Sequence, residues 1–325
     1  MSGTGLLVTA VLVTVVPVLI YLWILWRVDR YEKEPVTLLA VALAGGAVVA
    51  PLLTALAQSV LGIPTSIFPA LFQIYPFAHP NLAGAVVEEL AKGAVILTVY
   101  VLVPHEFDNT LDGVVYGATV GAGFALAESV VYLSDLASLA AAANLEAGFF
   151  GAILVSGLTH CVFGAIFGAA LGYVREASPS GGARWWIPIA GLAAAALYHA
   201  GYVAVGAAGL AGVGGLTGLL LGVGRRLADV GGLVLVGVIV AWAWSRERGV
   251  LRWALATEAP EVIAPDELEA LAQGRMTGDP RLREALAELA FAKWRLARGF
   301  GTQEGVTRQR ERVRQVRLAQ GGSRG

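Results

Sequence analysis

The chain has 325 residues, of which 57% are hydrophobic and 14% are charged. A soluble globular domain carries about 25% charged residues, so this composition indicates a protein of the lipid bilayer. The formal net charge of −1 and the lack of a clustered basic face argue against a nucleic-acid partner. The single cysteine, Cys161, excludes an internal disulfide, and we interpret it as a small core residue.

Charge divides the chain into two parts. Residues 1–245 hold 8 Lys/Arg and 13 Asp/Glu, whereas residues 246–325 hold 15 and 11. We therefore predict a transmembrane domain over residues 1–245 and a polar, partly helical tail over residues 246–325. Within the tail, Asp279 before Pro280 indicates a helix start and Gly299 a helix stop, and the composition from residue 301 onward favours a disordered end.

A transmembrane helix needs about 20 mostly apolar residues, and seven segments meet that requirement. The predicted spans are residues 5–26, 36–62, 82–103, 113–136, 148–174, 187–209 and 228–245. Residues 210–224 are apolar but contain six glycines, so they form an eighth crossing, a re-entrant segment or a loop. The predicted fold class is therefore an all-α polytopic transmembrane helix bundle with seven spans, or eight if residues 210–224 also cross.

The loops between the predicted spans set the orientation, because Lys and Arg concentrate on the cytoplasmic side of membrane proteins. The first and fifth loops carry all the basic residues of the first five loops: Arg27, Arg30, Lys33, Arg175 and Arg184. With seven spans, this pattern predicts an N-terminus outside and a cytoplasmic tail. The Arg225–Arg226 pair in the sixth loop opposes that orientation, and an eighth span would instead send the basic tail outside.

Ionisable side chains inside the predicted spans are the main functional signal. The candidates are Glu88, Glu89, Lys92, Glu128, His160 and His199. A charge at the bilayer centre opposes insertion by at least about 2.5–3.5 kcal/mol. Buried polar residues can also pin helices together through hydrogen bonds. Three carboxylates and two histidines exceed what one lysine can neutralise, so the pattern favours a functional site over a structural contact.

The depths of these residues predict that they meet. Counted from the outer ends of their spans, Glu88, Glu128, His199 and His160 lie about 6 to 12 residues deep, or roughly 9–18 Å at 1.5 Å per residue. We therefore expect four helices to bring them together in the outer half of the membrane. In the third span, Lys92 can ion-pair with Glu88, four residues before it, while Glu89 points about 100° away. The proline- and aromatic-rich second loop, residues 63–81, would lie above them as a lid, a docking surface or a plain interfacial connector.

Short motifs in chain order resemble the PrsW family of intramembrane proteases, from the superfamily that also holds the type II CAAX prenyl proteases and Aph-1. The motifs are DRYEKEP at 29–35, EELAK at 88–92, DGVVYG at 112–117, FALAE at 124–128, and the two helices that carry His160 and His199. The resemblance covers roughly residues 20–205. CAAX-type relatives place Asn or Asp four residues after a catalytic histidine, where this chain has Gly164 and Val203.

The resemblance implies a multi-pass endopeptidase of the bacterial cytoplasmic membrane. Its implied partners are the lipid bilayer and a single-span membrane-protein substrate, cut near the extracytoplasmic face, with release of anti-sigma factors as the family theme. The catalytic candidates are the six ionisable residues named above. Two mechanisms stay open. In one, Zn²⁺ is held by Glu128, His160 and His199; in the other, no metal is present, Glu88 or Glu89 is the general base and the histidines are electrophiles.

Two other functions use the same residues. Buried Glu and His also build ion and proton pathways, although the sequence shows no inverted repeat of the sort found in many transporters. A non-catalytic membrane scaffold, as Aph-1 is, would tolerate changes that keep polarity, such as Glu89→Gln. Peptide cleavage separates the protease from both alternatives.

Overall fold

The computed structural model describes residues 3–63, 82–139, 146–177, 184–210, 215–258, 260, 262–276 and 278–321. The regular structure of these ranges is helical throughout, which confirms the all-α prediction. The predicted second loop lies outside the described residues from position 64 to position 81.

The helices of the predicted membrane domain are α1 (Gly3–Val28), α2 (Val36–Ala44), α3 (Ala50–Leu61), α4 (Leu82–Leu102), α5 (Thr110–Leu139), α6 (Glu146–Ala177), α7 (Trp186–Leu210) and α8 (Gly215–Leu255). Helices α1 to α7 follow the predicted spans within a few residues, whereas α8 extends beyond the predicted span 228–245 at both ends and includes Arg225 and Arg226, which were predicted to lie in the sixth loop. Residues 215–224, whose structure the sequence left open, are the first turns of α8.

Hydropathy supports a membrane-spanning bundle. Five helical segments of the described chain are long and apolar enough to cross a membrane: Val36–Leu61, Thr110–Val130, Gly157–Ala177, Trp186–Val205 and Gly215–Leu255. Helix α1 adds a shorter apolar segment, Thr14–Val28. Helix α4 is otherwise apolar but carries Glu88, Glu89 and Lys92 within five residues.

A π-helical turn, Gly45–Val49, separates α2 from α3 within the second predicted span. Pro51 follows this turn, and a proline ring clashes with the carbonyl four residues earlier in a regular α-helix, so the wider turn relieves that clash. In the same turn, a Cβ on Gly46 would lie 2.1 Å from the carbonyl oxygen of Val120 in α5. The second span and α5 are therefore in backbone contact.

Helices α5 and α6 pack along a seam of glycines spaced four residues apart. The seam consists of Gly113, Gly117 and Gly121 on α5 and Gly164, Gly168 and Gly172 on α6. A Cβ on Gly117 would lie 2.2 Å from the carbonyl oxygen of Gly164, and one on Gly121 would lie 2.1 Å from that of His160. Small residues at this spacing let membrane helices approach closely. The seam fixes the position of His160 relative to α5.

Side chains at the start of α5 hold the segment that connects α4 to α5. Asp112 Oδ2 accepts hydrogen bonds from the backbone N–H groups of Asp108 at 2.9 Å and Asn109 at 3.0 Å. Glu176 of α6 accepts from the Thr110 hydroxyl at 2.5 Å. The Asn109 Oδ1 atom in turn accepts from the N–H groups of Leu111 at 2.7 Å and Asp112 at 3.1 Å, so Asn109 and Asp112 cap the start of α5 reciprocally. Glu176 ties that start to the end of α6.

The chain forms two compact units. The first comprises Met1–Arg27 and Glu34–Val238, and the second comprises Val28–Lys33 and Ile239–Gly325. The second unit contains α9 (Pro265–Ala272), α10 (Pro280–Ala297) and α11 (Gln303–Gly321). It has its own apolar core, formed by residues that include Tyr31, Leu251, Leu286, Phe291 and Val313.

The ends of α10 follow the sequence, whereas the end of the chain does not. The Asp279 side chain accepts from the Arg281 N–H at 2.9 Å, and Pro280 is the first helical residue. Gly299 has a φ of 84°, a left-handed conformation that favours glycine after a helix. The predicted start and stop of α10 are thus confirmed. Residues 303–321 were expected to be disordered but form α11, which buries Val306 and Val313.

Candidate functional site

Helix α4 places three ionisable side chains inside the first unit. Glu88, Glu89 and Lys92 are 4%, 2% and 0% exposed, respectively. Residues three and four apart lie on one helical face, so Lys92 can reach both glutamates, and the three side chains can contact more than one neighbouring helix. Burial of so many charged groups requires partners on other helices.

Lys92 links two of the other candidates. Its Nζ lies 2.5 Å from Glu89 Oε1 and 2.9 Å from His160 Nδ1. The sequence favoured an ion pair with Glu88, four residues before Lys92, whereas the structure pairs the ammonium with Glu89, three residues before it. Lys92 also lies 4.5 Å from the centre of the Phe124 ring, a cation–π contact.

His199 of α7 contacts both adjacent carboxylates of α4. Its Nδ1 lies 2.7 Å from Glu89 Oε1, and its Nε2 lies 3.8 Å from Glu88 Oε2. The imidazole stacks on Phe163 of α6 with ring centres 4.7 Å apart. Glu89 and Phe163 together hold the ring in one orientation.

His160 of α6 lies between Lys92 and Glu128 of α5. Its Nε2 is 2.8 Å from Glu128 Oε2. The Glu128 side chain is 31% exposed, in contrast to 3% for that of His160. The six predicted residues thus form one continuous network on four helices, which confirms their predicted convergence.

Donor and acceptor rules assign the two histidines different tautomers. An ammonium only donates hydrogen bonds, so His160 Nδ1 accepts from Lys92, and its Nε2–H donates to Glu128. The Glu89 carboxylate only accepts, so His199 Nδ1–H donates to it and the Nε2 lone pair faces Glu88. His199 is therefore held as a carboxylate-oriented imidazole, an arrangement typical of metal-binding histidines.

Three side chains of this network could hold a metal ion. One ligand atom each of Glu88, His160 and His199 lie within 4.8 Å of one another, and all three residues are buried. The donor set of two imidazoles and one carboxylate is that of two-His-one-Glu zinc sites. The sequence interpretation placed Glu128 in this set; the structure groups Glu88 with the histidines and places Glu128 against His160.

The charge balance of the network also suits a cation. Glu88, Glu89 and Glu128 bring three carboxylates, and Lys92 brings one ammonium. With neutral histidines, two negative charges remain in a low-dielectric region, and a divalent cation would neutralise them.

The glycine seam is the feature of the site that the sequence interpretation did not use. Gly121 of α5 lies directly against the backbone of His160, so the close approach of α5 and α6 brings His160 to Glu128. The signal is visible in the sequence, since Gly113, Gly117 and Gly121 repeat every fourth residue, as do Gly164, Gly168 and Gly172.

Comparison with known proteins supports an assignment to one family. The sequence profile of the family described as "PrsW family intramembrane metalloprotease" matches residues 34–243. Two curated relatives are similar: "Protease PrsW" of Bacillus subtilis (strain 168), 28% identical over 169 residues, and "Protease PrsW" of Geobacillus kaustophilus (strain HTA426), 33% identical over 153 residues.

These two alignments cover 48% and 46% of this chain and 65% and 59% of the respective relatives, less than two thirds of either. No solved structure matches the chain. All six residues of the buried network lie inside the region that the family profile matches. Because that region is more than half of the sequence, the chain belongs to the PrsW family of intramembrane metalloproteases.

Proposed function

We propose that the network around Glu88, His160 and His199 hydrolyses a peptide bond of a membrane-protein substrate within the bilayer. One observation carries the proposal: two imidazoles and a carboxylate converge within 4.8 Å inside a bundle of apolar helices. Membership of an intramembrane metalloprotease family supports this assignment.

Glu88, His160 and His199 are the residues that would hold the metal ion. Both ring nitrogens of His160 make hydrogen bonds in the structure, so His160 would exchange its contact with Lys92 or with Glu128 for the ion. Bound there, a zinc ion would supply Lewis acidity to a water molecule and to the scissile carbonyl. The donor types and their mutual distances fit such an ion. This ligand set leaves Glu89 and Glu128 for other roles.

Glu89 is the carboxylate that we assign as proton acceptor for the attacking water. It is paired with the Lys92 ammonium, and its contact with His199 places it beside the ligand group. Lys92 and Glu128 contact the two ring nitrogens of His160, and the contact that is kept when the ion binds would orient the ring. The metal-free mechanism of the CAAX type would use the same residues, with Glu88 or Glu89 as base and both histidines as electrophiles.

The substrate that we propose is a single-span protein of the bacterial cytoplasmic membrane, cut near the extracytoplasmic face. An anti-sigma factor would be such a substrate, as the family resemblance suggests. The orientation rests on the basic residues of the first and fifth loops, which place the N-terminus outside and the second unit in the cytoplasm. The predicted depths of the network residues then put the site in the outer half of the membrane.

A cleavage assay tests the proposal. The purified full-length protein in detergent is incubated with a panel of single-span peptides, and the fragments are identified by mass spectrometry. We expect cleavage by the wild type, and loss of cleavage in Glu88→Gln and His199→Gln. The matched control is Glu304→Gln, which removes an exposed carboxylate of α11 and should cleave at the wild-type rate. Equal cleavage by the site variants and the wild type would refute the assignment.

A further inference from the structure

A second cluster of charged side chains lies outside the proposed site, where α7 and α8 meet. The Arg225 guanidinium carbon lies 4.1 Å from the centre of the Tyr202 ring. Arg226 Nη1 lies 3.2 Å from Asp229 Oδ2. The Tyr198 hydroxyl donates to the carbonyl oxygen of Ala228. These contacts join an arginine pair of α8 to the tyrosines that flank His199 on α7.

Positive charges outnumber negative charges on the two helical segments that form this cluster. Helix α7 has no Lys, Arg, Asp or Glu, and residues 215–238 of α8 have only Arg225, Arg226 and Asp229. These two segments therefore carry two guanidiniums and one carboxylate, and Asp229 contacts Arg226. The Arg226 side chain is 75% exposed, whereas that of Asp229 is 12% exposed. Arginine has five N–H donors, so Arg226 retains donors beyond its contact with Asp229.

Arg226 lies in a groove that is otherwise apolar. The groove is lined by Gly218, Leu219, Gly222, Val223, Leu227 and Val230 together with Arg226. A Cβ on Gly222 would meet nothing within 4 Å, so the described residues leave this face of α8 open. An open apolar surface with a single guanidinium in it matches a ligand that has both a hydrocarbon chain and an anionic group.

We propose that this surface binds an anionic phospholipid, with the phosphate on the guanidiniums of Arg225 and Arg226 and an acyl chain along the groove. Charge complementarity selects the occupant: a guanidinium forms paired, charge-assisted hydrogen bonds with a phosphate. A long arginine side chain on a membrane helix can extend to the level of the headgroups, where the lipid phosphates lie. The proposal does not depend on the proposed protease function.

Native mass spectrometry of the full-length protein in detergent tests the proposal. Phosphatidylglycerol and phosphatidylcholine with the same acyl chains are titrated separately. We expect phosphatidylglycerol to bind with a Kd at least about fivefold lower. Both lipids carry a phosphate, but the choline cation of phosphatidylcholine cancels its charge, whereas phosphatidylglycerol is anionic and each nearby arginine contributes about that factor. Equal affinities of the wild type for the two lipids would overturn the proposal.

Variants locate the site. Arg225→Gln/Arg226→Gln should abolish the preference for phosphatidylglycerol, and Arg226→Gln alone should reduce it while leaving the Arg225–Tyr202 contact in place. The control is Arg184→Gln, an exposed arginine just before α7, which should keep the preference. A preference that survives in both arginine variants would overturn the location.

Two further experiments distinguish a bound lipid from a free anion and from a second copy of the chain. Inorganic phosphate at millimolar concentration should not displace the lipid; displacement would indicate a simple anion site and overturn the lipid assignment. The wild type should stay at one oligomeric state as lipid is added. A dimer that forms without lipid and is lost in Arg226→Gln would assign the groove to a second copy of the chain instead.

Discussion

At the scale of single residues, the two adjacent glutamates of α4 have different surroundings. Glu88 is one of the three possible metal ligands, with His160 and His199, whereas Glu89 Oε1 accepts hydrogen bonds from both Lys92 and His199. A carboxylate that accepts hydrogen bonds from an ammonium and an imidazole is fixed in position. This difference is the reason that we propose metal binding for Glu88 and proton transfer for Glu89, although the residues are neighbours in the chain.

The variants Glu88→Gln and Glu89→Gln should therefore differ in metal content. Glu88→Gln removes a charged ligand, so we expect loss of both metal and cleavage. Glu89→Gln should retain the metal but cleave about 10²- to 10⁴-fold more slowly, the usual contribution of a general base. Elemental analysis of the purified variants, together with cleavage rates, checks both expectations. Equal metal loss in the two variants would contradict the division of roles.

Lys92 should be needed for the stability of the network. Lys92→Met leaves Glu89 buried without its ammonium, and breaking a buried ion pair costs about 3–5 kcal/mol. We expect a marked drop in the melting temperature of the detergent-solubilised protein. In Lys92→Met/Glu89→Gln, no unpaired charge remains at Glu89, so the loss should be smaller than the sum of the two single losses. Additive losses would show that the pair is not coupled.

At the scale of secondary structure, the glycine seam determines whether the site can form. His160 and Glu128 belong to different helices, and their contact at 2.8 Å requires the α5 and α6 backbones to touch near Gly121. The seam therefore links a repeat in the sequence to the geometry of a buried site.

Gly117→Ala should weaken the bundle. The added Cβ would lie 2.2 Å from the carbonyl oxygen of Gly164, so the helices must separate, at an overpacking cost of about 1–3 kcal/mol. We expect a lower melting temperature and reduced cleavage. Gly237→Ala is the matched control, because nothing lies within 4 Å of its Cβ position. Alanine there should be neutral or stabilising by up to about 1 kcal/mol. A Gly117→Ala protein as stable as this control would argue against a close-packed seam.

The helices and the site differ in how far the sequence could predict them. Hydropathy locates the spans, and a charge inside an apolar span stands out because its insertion is costly. The partner of Lys92 could not be derived, since residues three and four positions away are both within reach and packing against Phe124 and His160 decides between them. Helix α11 was missed because its few apolar residues, which include Val306, Val313 and Val316, lie in an arginine-rich segment and pack on a core that α10 helps to form.

At the scale of the whole molecule, the chain contains a second folded unit rather than a loose tail. Its core takes in Tyr31, whose hydroxyl donates to the carbonyl oxygen of Ala272 at 3.0 Å. Charged pairs surround that core. The Glu258 carboxylate accepts two hydrogen bonds of 2.8 Å from Arg310 and one of 2.6 Å from Lys293.

The second unit should lose stability in acid through Glu258. Hydrogen bonds from Arg310, together with Lys293, outweigh burial and lower the pKa of Glu258 from its usual 4.5 to about 2. A carboxyl with a lowered pKa stabilises the folded state above its unfolded pKa, and that contribution is lost as the pH falls from 4.5 to about 2. We expect wild-type amides of α10 and α11 to exchange with deuterium more slowly than those of Glu258→Gln at pH 6.

This difference between wild type and variant should shrink as the pH falls below 4.5 and vanish near the lowered pKa of Glu258. Glu304→Gln provides the control, because its exposed carboxylate lies 3.9 Å from Arg308 and should contribute little at any pH. A protection difference for Glu258→Gln that does not change with pH would contradict the role given to its ionised carboxylate.

The restoration of cleavage by zinc is the most direct test of the proposed site. The purified protein is stripped with a chelator, zinc is added back in known equivalents, and the cleavage rate of a single-span peptide is measured for the wild type and for Glu88→Gln. The account predicts that chelation stops cleavage, that the wild-type rate returns and saturates at one zinc per chain, and that Glu88→Gln stays inactive. Cleavage that continues in the chelated protein, or zinc-dependent recovery in Glu88→Gln, would contradict it.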